Sequence, residues 1–429
     1  MEPVQPVKRK ICVVTTNRAD YGRLKPVMEE IQKDPCLELQ VVVGTPLFFD
    51  HLLWYLRHGE PVSLLQSLPW YFKARFKTIF GSDKEVARLE YFTRLLSQEG
   101  FPIHARIPMF LEGGNPRVMA KTSGFCLLGL PKILEDLKPD LVLVNGDRFE
   151  ILPIAFTTVC SNIFLAHLEG GDVSGTIDES TRHATTKLAH FHFPATKKSA
   201  ERILAMGENP KHIFITGSPV IDTISRLDLS LDNSIYERNG TGGGEKIDFT
   251  KPFILVLQHP VTTRYEENQA DTEELIAAVE QVSLQKIFLA PNIDAGADGV
   301  SVALRAYREK SPTKTSFLKS LNPHDYYRVF AKAAVAVGNS SSFIREGAFL
   351  GVPAVLVGDR QQNRERGKNV VEVMAKRGEI LSSVKKQMAH GKYEKDLIFG
   401  DGKSSSRILD VLKNIDLDTI PFQKKFHGV

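Results

Sequence analysis

The stretch PKILEDLKPDLVLVNGDRFE, residues 131–150, decides the class of fold. Residues 131–138 have a helical pattern of apolar positions, and the run DLVLVN at 140–145 follows almost at once. A short, continuous apolar run with β-branched residues is typical of a strand in a parallel sheet that is covered on both faces. A polar turn follows the run. The stretch therefore predicts the helix–strand–turn order of an α/β protein.

Similar runs recur along the chain, with helical patterns between them. They lie at 11–16, 39–44, 162–167, 191–196, 212–217, 253–258, 286–291, 335–339 and 353–358. Alternation of this kind builds a doubly wound sheet with helices on both faces. The sequence thus predicts an α/β protein of two Rossmann-like domains that face each other across a cleft.

Length and composition shifts suggest the domain boundaries. A chain of 429 residues is long for a single core. We expect a first domain at 1–222, a linker or flexible loop at 223–251 that contains GTGGGEK, and a second domain at 252–403. For the helix and tail at 404–429, packing back on the first domain is one option. Residues of about 50–97, with both tryptophans, form an insertion in the first domain.

Charge and cysteine usage exclude several classes of protein. A formal charge of +4 gives no case for a nucleic-acid partner. The four cysteines lack CxxC spacing, which favours a reducing compartment and no metal site. No apolar run reaches the roughly 18 residues of a membrane span. We therefore expect a cytoplasmic protein. For the basic aromatic run at 68–80, packing on its own domain or on a second subunit is favoured, with contact to a membrane surface as the alternative.

Polar clusters follow the predicted strands at their carboxyl ends, where open α/β sheets bind ligands. Asp147 and Arg148 follow the run at 140–145, and LEGGDVSGTIDESTRH (168–183) follows the run at 162–167. Each acid by itself is more often a helix cap or an ion pair, but their convergence favours a catalytic cleft. We expect Asp147, beside Arg148, to stay ionised, and an acid walled by glycines and apolar residues to keep its proton.

The second half has a matching donor-rich cluster, GNSSSFIRE at 338–346. Amides and hydroxyls at a helix start suit a phosphate, and an acid one turn later suits ribose hydroxyls. An ordinary N-cap with a capping-box acid is an equal alternative. Arg18 and Arg360 have the forked geometry that neutralises a diphosphate, although each alone is more often a surface charge.

Several motifs together resemble a known family: TNRADYGRLKP, NGDRFE, HLEGGDVSGTIDESTRHATTKLAH, LQHPVTT, PNIDAG and GNSS with its later Arg-Glu. They are similar to the hydrolysing UDP-N-acetylglucosamine 2-epimerases, which include the epimerase domain of the animal bifunctional enzyme and bacterial enzymes of sialic and legionaminic acid synthesis. The resemblance implies a glycosyltransferase-B-like architecture. It also implies a UDP-sugar substrate, UDP as a product, a homodimer or homotetramer, and no cofactor or metal.

The resemblance also implies roles for particular residues. The catalytic group is Asp147, Glu169 and Asp178, with His167, Arg182 and His183 beside them. The nucleotide- and phosphate-contacting group is Arg18, Arg148, His259, Asn292, Ser340, Ser341, Glu346 and Arg360. Two positions depart from the family pattern, because Pro46 and Asn145 stand where histidines are usual.

The reaction that the resemblance implies starts with removal of the C2 proton. Elimination then gives a 2-acetamidoglucal, and addition of water releases N-acetylmannosamine and UDP for sialic acid-type synthesis. Three alternatives remain open. They are the same reaction on a UDP- or GDP-2,4-diacetamido-6-deoxy sugar, a glycosyltransferase on the same fold, and a catalytically silent nucleotide-sugar binding protein.

Overall fold

Two parallel sheets flanked by helices form the frame of the molecule. The computed structural model describes residues 8–16, 18–47, 91–111, 115–240, 242–291, 296–310, 312–319 and 321–428. Most of the insertion expected at 50–97 therefore lies outside the described residues, so its predicted packing and membrane contact are untested.

The secondary structure alternates along the chain as predicted. The strands are β1 (Arg9–Thr15), β2 (Leu37–Pro46), β3 (Ala105–Phe110), β4 (Leu141–Asn145), β5 (Phe164–Leu168), β6 (Phe191–Phe193), β7 (Gly243–Gly244), β8 (Phe253–Leu257), β9 (Gln285–Leu289), β10 (Thr315–Leu318), β11 (Val335–Gly338), β12 (Ala354–Val357) and β13 (Val370–Val373). The helices of the first half are α1 (Arg18–Lys33), α2 (Tyr91–Gln98), α3 (Pro116–Leu137), α4 (Ile151–Cys160), α5 (Ile177–Leu188), α6 (Lys197–Ala205), α7 (Val220–Arg226) and α8 (Ser234–Asn239). Those of the second half are α9 (Asn268–Glu280), α10 (Ala297–Glu309), α11 (Pro323–Lys332), α12 (Arg345–Leu350), α13 (Arg377–His390) and α14 (Ser404–Asn414). Single 3₁₀ turns lie at Pro210–His212, Thr262–Arg264, Ser341–Phe343 and Leu417–Thr419.

The first sheet has the order β3-β2-β1-β4-β5-β6, and its strands all pair in parallel. The strand order reverses between β1 and β4, so a crevice opens beyond their carboxyl ends. The second sheet has the order β13-β12-β11-β8-β9-β10-β7, with a matching reversal between β8 and β11. Only the short β7 runs antiparallel to its neighbour. The chain therefore consists of two Rossmann-like domains.

Burial on both faces explains why the strands are continuous apolar runs. In β1, Ile11 and Val13 pack with Leu24 of α1 on one face of the sheet. Cys12 and its neighbours pack with Leu130 of α3 on the other face. Successive side chains of a strand point to opposite faces, so a sheet covered on both sides needs apolar residues at every position.

The last helix of the chain belongs to the first domain. Ile408 and Leu412 of α14 are buried in the core that contains α1. Asp222 of α7 caps this helix, accepting hydrogen bonds from the backbone nitrogens of Ser404 at 2.9 Å and Ser405 at 2.7 Å. The chain thus leaves the first domain and returns to it at adjacent points, which is where a hinge between the domains would lie.

Some predicted elements differ from the structure. Residues 212–217, predicted as a strand, make a single bridge through Ile213 before the chain turns at Gly217. The expected linker at 223–251 contains α8 and β7, and Ile235 and Tyr236 are buried in the second domain. Apolar residues are sparse in this segment, so the sequence shows no helical or strand periodicity that would have predicted α8 or β7. The strands β3, β10 and β13 had no continuous apolar run to reveal them, and Pro108 interrupts the first of these.

Among the helices that the structure describes, none combines the length and apolar character needed to cross a membrane.

Candidate active site

A small pocket lies between the two domains, at the strand ends where both sheets reverse their order. Its volume is about 40 Å³, whereas sites for drug-sized ligands enclose about 300–1,000 Å³. The residues that line it are Arg23, Asp147, Ser174, Asp178, Ser341, Arg345, Arg360, Gln361 and Arg364. Four of them, Asp147, Asp178, Ser341 and Arg360, come from four separate sequence predictions. Both domains therefore build the site, and we call this arrangement, in which little space is left between them, closed.

Asp147 lies in the loop after β4 and is held by arginines distant in sequence. Arg182 of α5, which is fully buried, donates a hydrogen bond to its carboxylate, and Arg364 lies 3.5 Å away. Burial alone would raise the pKa of Asp147, but Arg182 and Arg364 lower it well below its ordinary value. The expected neighbour, Arg148, instead pairs with Glu150 at 3.0 Å. Asp147 is therefore ionised, as predicted, but through a different arginine.

Glu169 stands at the start of the loop after β5, residues 168–176, which we call the carboxylate loop. Its backbone φ is +57°, and a non-glycine residue in this left-handed region is strained by about 1–3 kcal/mol. Gly170 and Gly171 then let the loop pass close to its neighbours. A Cβ at Gly171 would lie 2.2 Å from the carbonyl oxygen of Ser199. Strain of this kind persists only where surrounding contacts hold it, and it is common at functional sites.

The charge state of Glu169 differs from the one expected for a glycine-walled acid. Ser218 donates a hydrogen bond to its carboxylate, and Arg23 and Arg345 each lie 3.3 Å from Oε2. Burial raises the pKa of Glu169, but Arg23 and Arg345 outweigh that effect, and the pKa is lowered. Glu169 is therefore ionised in the closed site. The expectation that it keeps its proton was wrong, because no local sequence feature revealed the two arginines.

The two histidines predicted in the catalytic group, His167 and His183, are not among the residues that line the pocket. His167 is buried in β5, where its Nε2–H donates to the carbonyl of Gly146 at 2.8 Å and its Nδ1 accepts from Thr186 at 3.1 Å. Both ring nitrogens are thus used within the protein, and burial lowers the pKa of His167 to about 4. His183 is partly exposed on α5, 3.8 Å from Glu179, and burial lowers its pKa.

The segment 338–343 of the second domain, which we call the serine turn, is held by neutral hydrogen bonds within its own domain. Asn339 accepts from the backbone nitrogen of His259 at 2.7 Å and donates to its carbonyl at 2.8 Å. This bridge joins the ends of β8 and β11. The hydroxyl of Ser340 caps the following 3₁₀ turn and lies 2.8 Å from that of Ser342. Ser341 lines the pocket.

The remaining predicted residues have different placements. Glu346 is buried, and burial raises its pKa despite the nearby Arg23 and Arg345. Arg360 lines the pocket and donates to the carbonyl of Asn339 at 3.4 Å. Asn292 and the side chain of Arg18 lie outside the described residues. Of the departures from the family pattern, Asn145 is buried, and its amide has no hydrogen-bond partner within the described chain.

Residues that the sequence analysis did not single out complete the site. Arg345 stands inside the quoted GNSSSFIRE motif, Arg364 in a charged run after β12, and Asp172 in the EGGD segment. All three are buried, and Asp172 pairs with both arginines. Arg345 and Asp172 could have been predicted as site residues because they lie within the quoted motifs. No local sequence feature predicts a site role for Arg364. In the parts of the chain that are described, no group of three His, Cys, Asp or Glu side chains is placed to hold a metal ion.

A family model built on known proteins matches most of the chain. The family model described as UDP-N-acetylglucosamine 2-epimerase matches residues 88–413. The chain belongs to the UDP-N-acetylglucosamine 2-epimerase family. This confirms the family resemblance read from the motifs.

Two relatives of this epimerase-family chain cover nearly its whole length. The chain is 32% identical to a Legionella pneumophila protein named UDP-N,N'-diacetylbacillosamine 2-epimerase (hydrolyzing), over 95% of this chain and 97% of that protein. It is 30% identical to a Neisseria meningitidis UDP-N-acetylglucosamine 2-epimerase, over 98% and 99% respectively.

A solved structure shares the fold. The UDP-GlcNAc 2-epimerase of Methanocaldococcus jannaschii, in complex with UDP-GlcNAc and UDP, superposes with a TM-score of 0.71 at 16% identity. The match covers 94% of this chain and 99% of that one. The predicted glycosyltransferase-B-like pair of domains is therefore confirmed.

Proposed function

We propose that the protein is a hydrolysing 2-epimerase of a UDP-2-acetamido sugar, with UDP-N-acetylglucosamine as the first candidate substrate. The observation that carries the proposal is the shared pocket. There Asp147 and Asp178 from one domain line the same cavity as Ser341 and Arg360 from the other. Acids beside a sugar and donors beside a diphosphate are the two requirements of this reaction.

The reaction needs a base at C2 and a stabilised leaving group at C1. An ionised carboxylate of the pair Asp147 and Glu169 removes the C2 proton. The C1–O bond breaks with its electron pair leaving on UDP, and a C1=C2 double bond forms. Water then delivers a hydroxyl to C1, and a proton returns to C2 on the opposite face. The net change consumes one water and releases UDP and N-acetylmannosamine.

The lowered pKa values of Asp147 and Glu169 keep both carboxylates deprotonated, which is the state that a base requires. Asp178, which lines the same pocket, is the third proposed acid. Ser340, Ser341 and Arg360 hold the diphosphate in this proposal. Arg182 acts by keeping Asp147 ionised and in place, and His167 supports the strand end beneath it.

A second candidate substrate is the UDP-2,4-diacetamido sugar, because the Legionella relative bears the name of an epimerase of UDP-N,N'-diacetylbacillosamine. The chemistry at C1 and C2 is the same. The two candidates differ only in the substituents at C4 and C6, so a direct comparison of both sugars decides between them.

The test is incubation of the full chain in deuterated water with each UDP-sugar in parallel, followed by proton and phosphorus NMR. We expect free UDP and a 2-epimerised sugar that carries deuterium at C2. Retention of the C2 proton in the product contradicts deprotonation. Turnover that requires an acceptor sugar indicates a glycosyltransferase, and UDP binding without turnover of either sugar indicates a silent binding protein.

A further inference from the structure

Asp172 is a buried carboxylate that bridges two buried arginines of the other domain. Its Oδ2 lies 2.8 Å from Nε of Arg364 and 3.3 Å from Nη2 of Arg345. Its Oδ1 accepts from the backbone nitrogen of Val173 at 2.9 Å. Each side chain of this triad is less than one-tenth exposed. Removing one partner of such a buried ion pair strongly destabilises the folded protein, because the remaining charge is buried without a partner.

The opposite ends of the two arginines point toward the carboxylates of the proposed reaction. Nη1 of Arg345 lies 3.3 Å from Glu169, and Nη2 of Arg364 lies 3.5 Å from Asp147. Neither of these two nitrogens has a hydrogen-bond partner within the described chain. Asp172 therefore holds one end of each guanidinium, while the other end faces Glu169 or Asp147.

The three carboxylates and the two arginines come from different domains. Asp172 lies in the carboxylate loop, whereas Arg345 begins α12 and Arg364 follows β12. The backbones also meet at this boundary between the domains, which we call the seam. There the backbone nitrogen of Gly175 donates to the carbonyl of Arg360 at 3.1 Å. A Cβ at Gly175 would lie 2.1 Å from the carbonyl oxygen of Asp359. The arginines therefore reach the carboxylates across the boundary between the domains.

We propose that Asp172 is a positioning residue that draws Arg345 and Arg364 across the domain boundary, so that closure delivers one guanidinium to Glu169 and one to Asp147. The inference rests on the proposed function. Under this inference, Glu169 and Asp147 are held fully ionised by the second-domain arginines only when the domains are closed. Within the first domain, Arg23 lies beside Glu169 and Arg182 beside Asp147, so these two contacts do not depend on closure.

The surrounding charges are consistent with this coupling. The charged groups that face the two carboxylates, besides the two arginines of the second domain, are Arg23, Asp172, Asp178, Arg182 and Glu346. Arg345 and Arg364 contribute to the lowered pKa values of Glu169 and Asp147 respectively. When the arginines are displaced, each carboxylate becomes easier to protonate, so the acid limb of the rate profile moves to higher pH.

The test compares Asp172→Asn with Glu365→Ala. Glu365 accepts a hydrogen bond from Thr196 at 2.6 Å across the same seam. Its carboxylate forms no ion pair with Arg345 or Arg364 among the described contacts, so its variant is the matched control. For Asp172→Asn we expect kcat to fall about 100-fold, since a displacement of about 1 Å has this effect. We expect the acid limb of the pH profile to rise by about one unit. UDP affinity, measured by calorimetry, stays within about threefold. Glu365→Ala keeps the profile of the parent protein.

Two kinetic results overturn the proposal. The first is that kcat and the acid limb are unchanged in Asp172→Asn. The second is that Glu365→Ala loses as much kcat as Asp172→Asn, because the loss would then follow from removing any contact at the seam. If Asp172→Asn does not fold, Asp172→Glu, which keeps a carboxylate at this position, is tested in its place. It should keep the parent acid limb, and a limb shifted by about one unit there also contradicts the proposal.

A readout that does not depend on turnover separates this inference from the proposed function. With UDP bound, amide hydrogen exchange in peptides covering 170–176 and 358–366 should be about tenfold faster in Asp172→Asn than in Glu365→Ala. Equal exchange in the two variants refutes the anchoring role. If neither UDP-sugar is turned over by the parent protein, the proposed function fails, and this exchange comparison still decides whether Asp172 holds the seam.

Discussion

The carboxylate loop and the serine turn meet in one pocket, but they are held in opposite ways. The serine turn is fixed by neutral hydrogen bonds within its own domain, such as the bridge between Asn339 and His259. The carboxylate loop is fixed by ion pairs, and the arginines Arg345 and Arg364 come from the other domain. In the proposed function the serine turn is therefore preformed for the diphosphate. In the closure that we infer, the carboxylate loop gains the arginines of the second domain only when the two domains meet.

This difference separates binding from chemistry. A site whose donors are preformed loses little entropy when its ligand arrives, so UDP affinity should depend on the serine turn. Turnover should depend on the carboxylate loop and on closure. Variants of the two regions are therefore expected to split into two classes, those that change Kd for UDP and those that change kcat.

The largest expected effect is the loss of the reaction's carboxylates. Asp147→Asn and Glu169→Gln should each lower kcat by about 10²- to 10⁴-fold, the range of general acid–base catalysis. UDP binding should remain, because the serine turn is untouched. Product release followed by NMR, together with calorimetry for UDP, measures both. Glu201→Gln on the exposed face of α6 is the control, and near-normal turnover in both active-site variants would remove these acids from the mechanism.

A steric block of the seam tests closure without removing any charge. Gly175→Ala places a Cβ 2.1 Å from the carbonyl of Asp359 in the present arrangement. We expect kcat to fall about 100-fold with little change in Kd for UDP. Gly378→Ala, where the added Cβ meets nothing within 4 Å, is the matched control. If UDP affinity falls as much as kcat, the two regions are not separable.

The carboxylate side should also carry a pH dependence of stability through His167. Its pKa of about 4 lies below the ordinary value of 6.5, so the unfolded chain takes up a proton that the folded one does not. Stability is therefore lost as pH falls from about 6.5 toward 4. The free energy of unfolding should fall between pH 7.5 and pH 5, and in His167→Gln this fall should be smaller by about 2 kcal/mol. Urea titrations at both pH values measure it, with His427→Gln as the control, and an unchanged difference contradicts the assignment.

The smallest expected effect concerns the preformed side. Ser341→Ala should weaken UDP binding about tenfold, since a hydrogen bond to a charged group contributes about 1.5–3 kcal/mol. The value of kcat at saturating substrate should stay within about threefold. Calorimetry against Ser382→Ala, a substitution at an exposed serine of α13, checks the effect. A fall in kcat without a change in affinity would place Ser341 with the carboxylates instead.

Much of the frame could be predicted because its signals are local. The runs that became β1, β4, β8 and β11 are continuous and apolar, and the structure buries them on both faces. The acids of the pocket follow such runs, so their position at strand ends was predictable from the same pattern. Strands without this signal were missed. For example, β3 contains a proline and is only partly buried.

The sequence by itself determined the class of fold, the order of its elements and the strand ends that carry polar side chains, because β-branched runs and helical periodicity act over a few residues. Only the tertiary structure decided which charges meet. Asp147 pairs with Arg182, 35 residues away, and not with its neighbour Arg148. Asp172 pairs with arginines more than 170 residues away. Coulombic partners are chosen by distance in space, and the closure of two domains sets that distance.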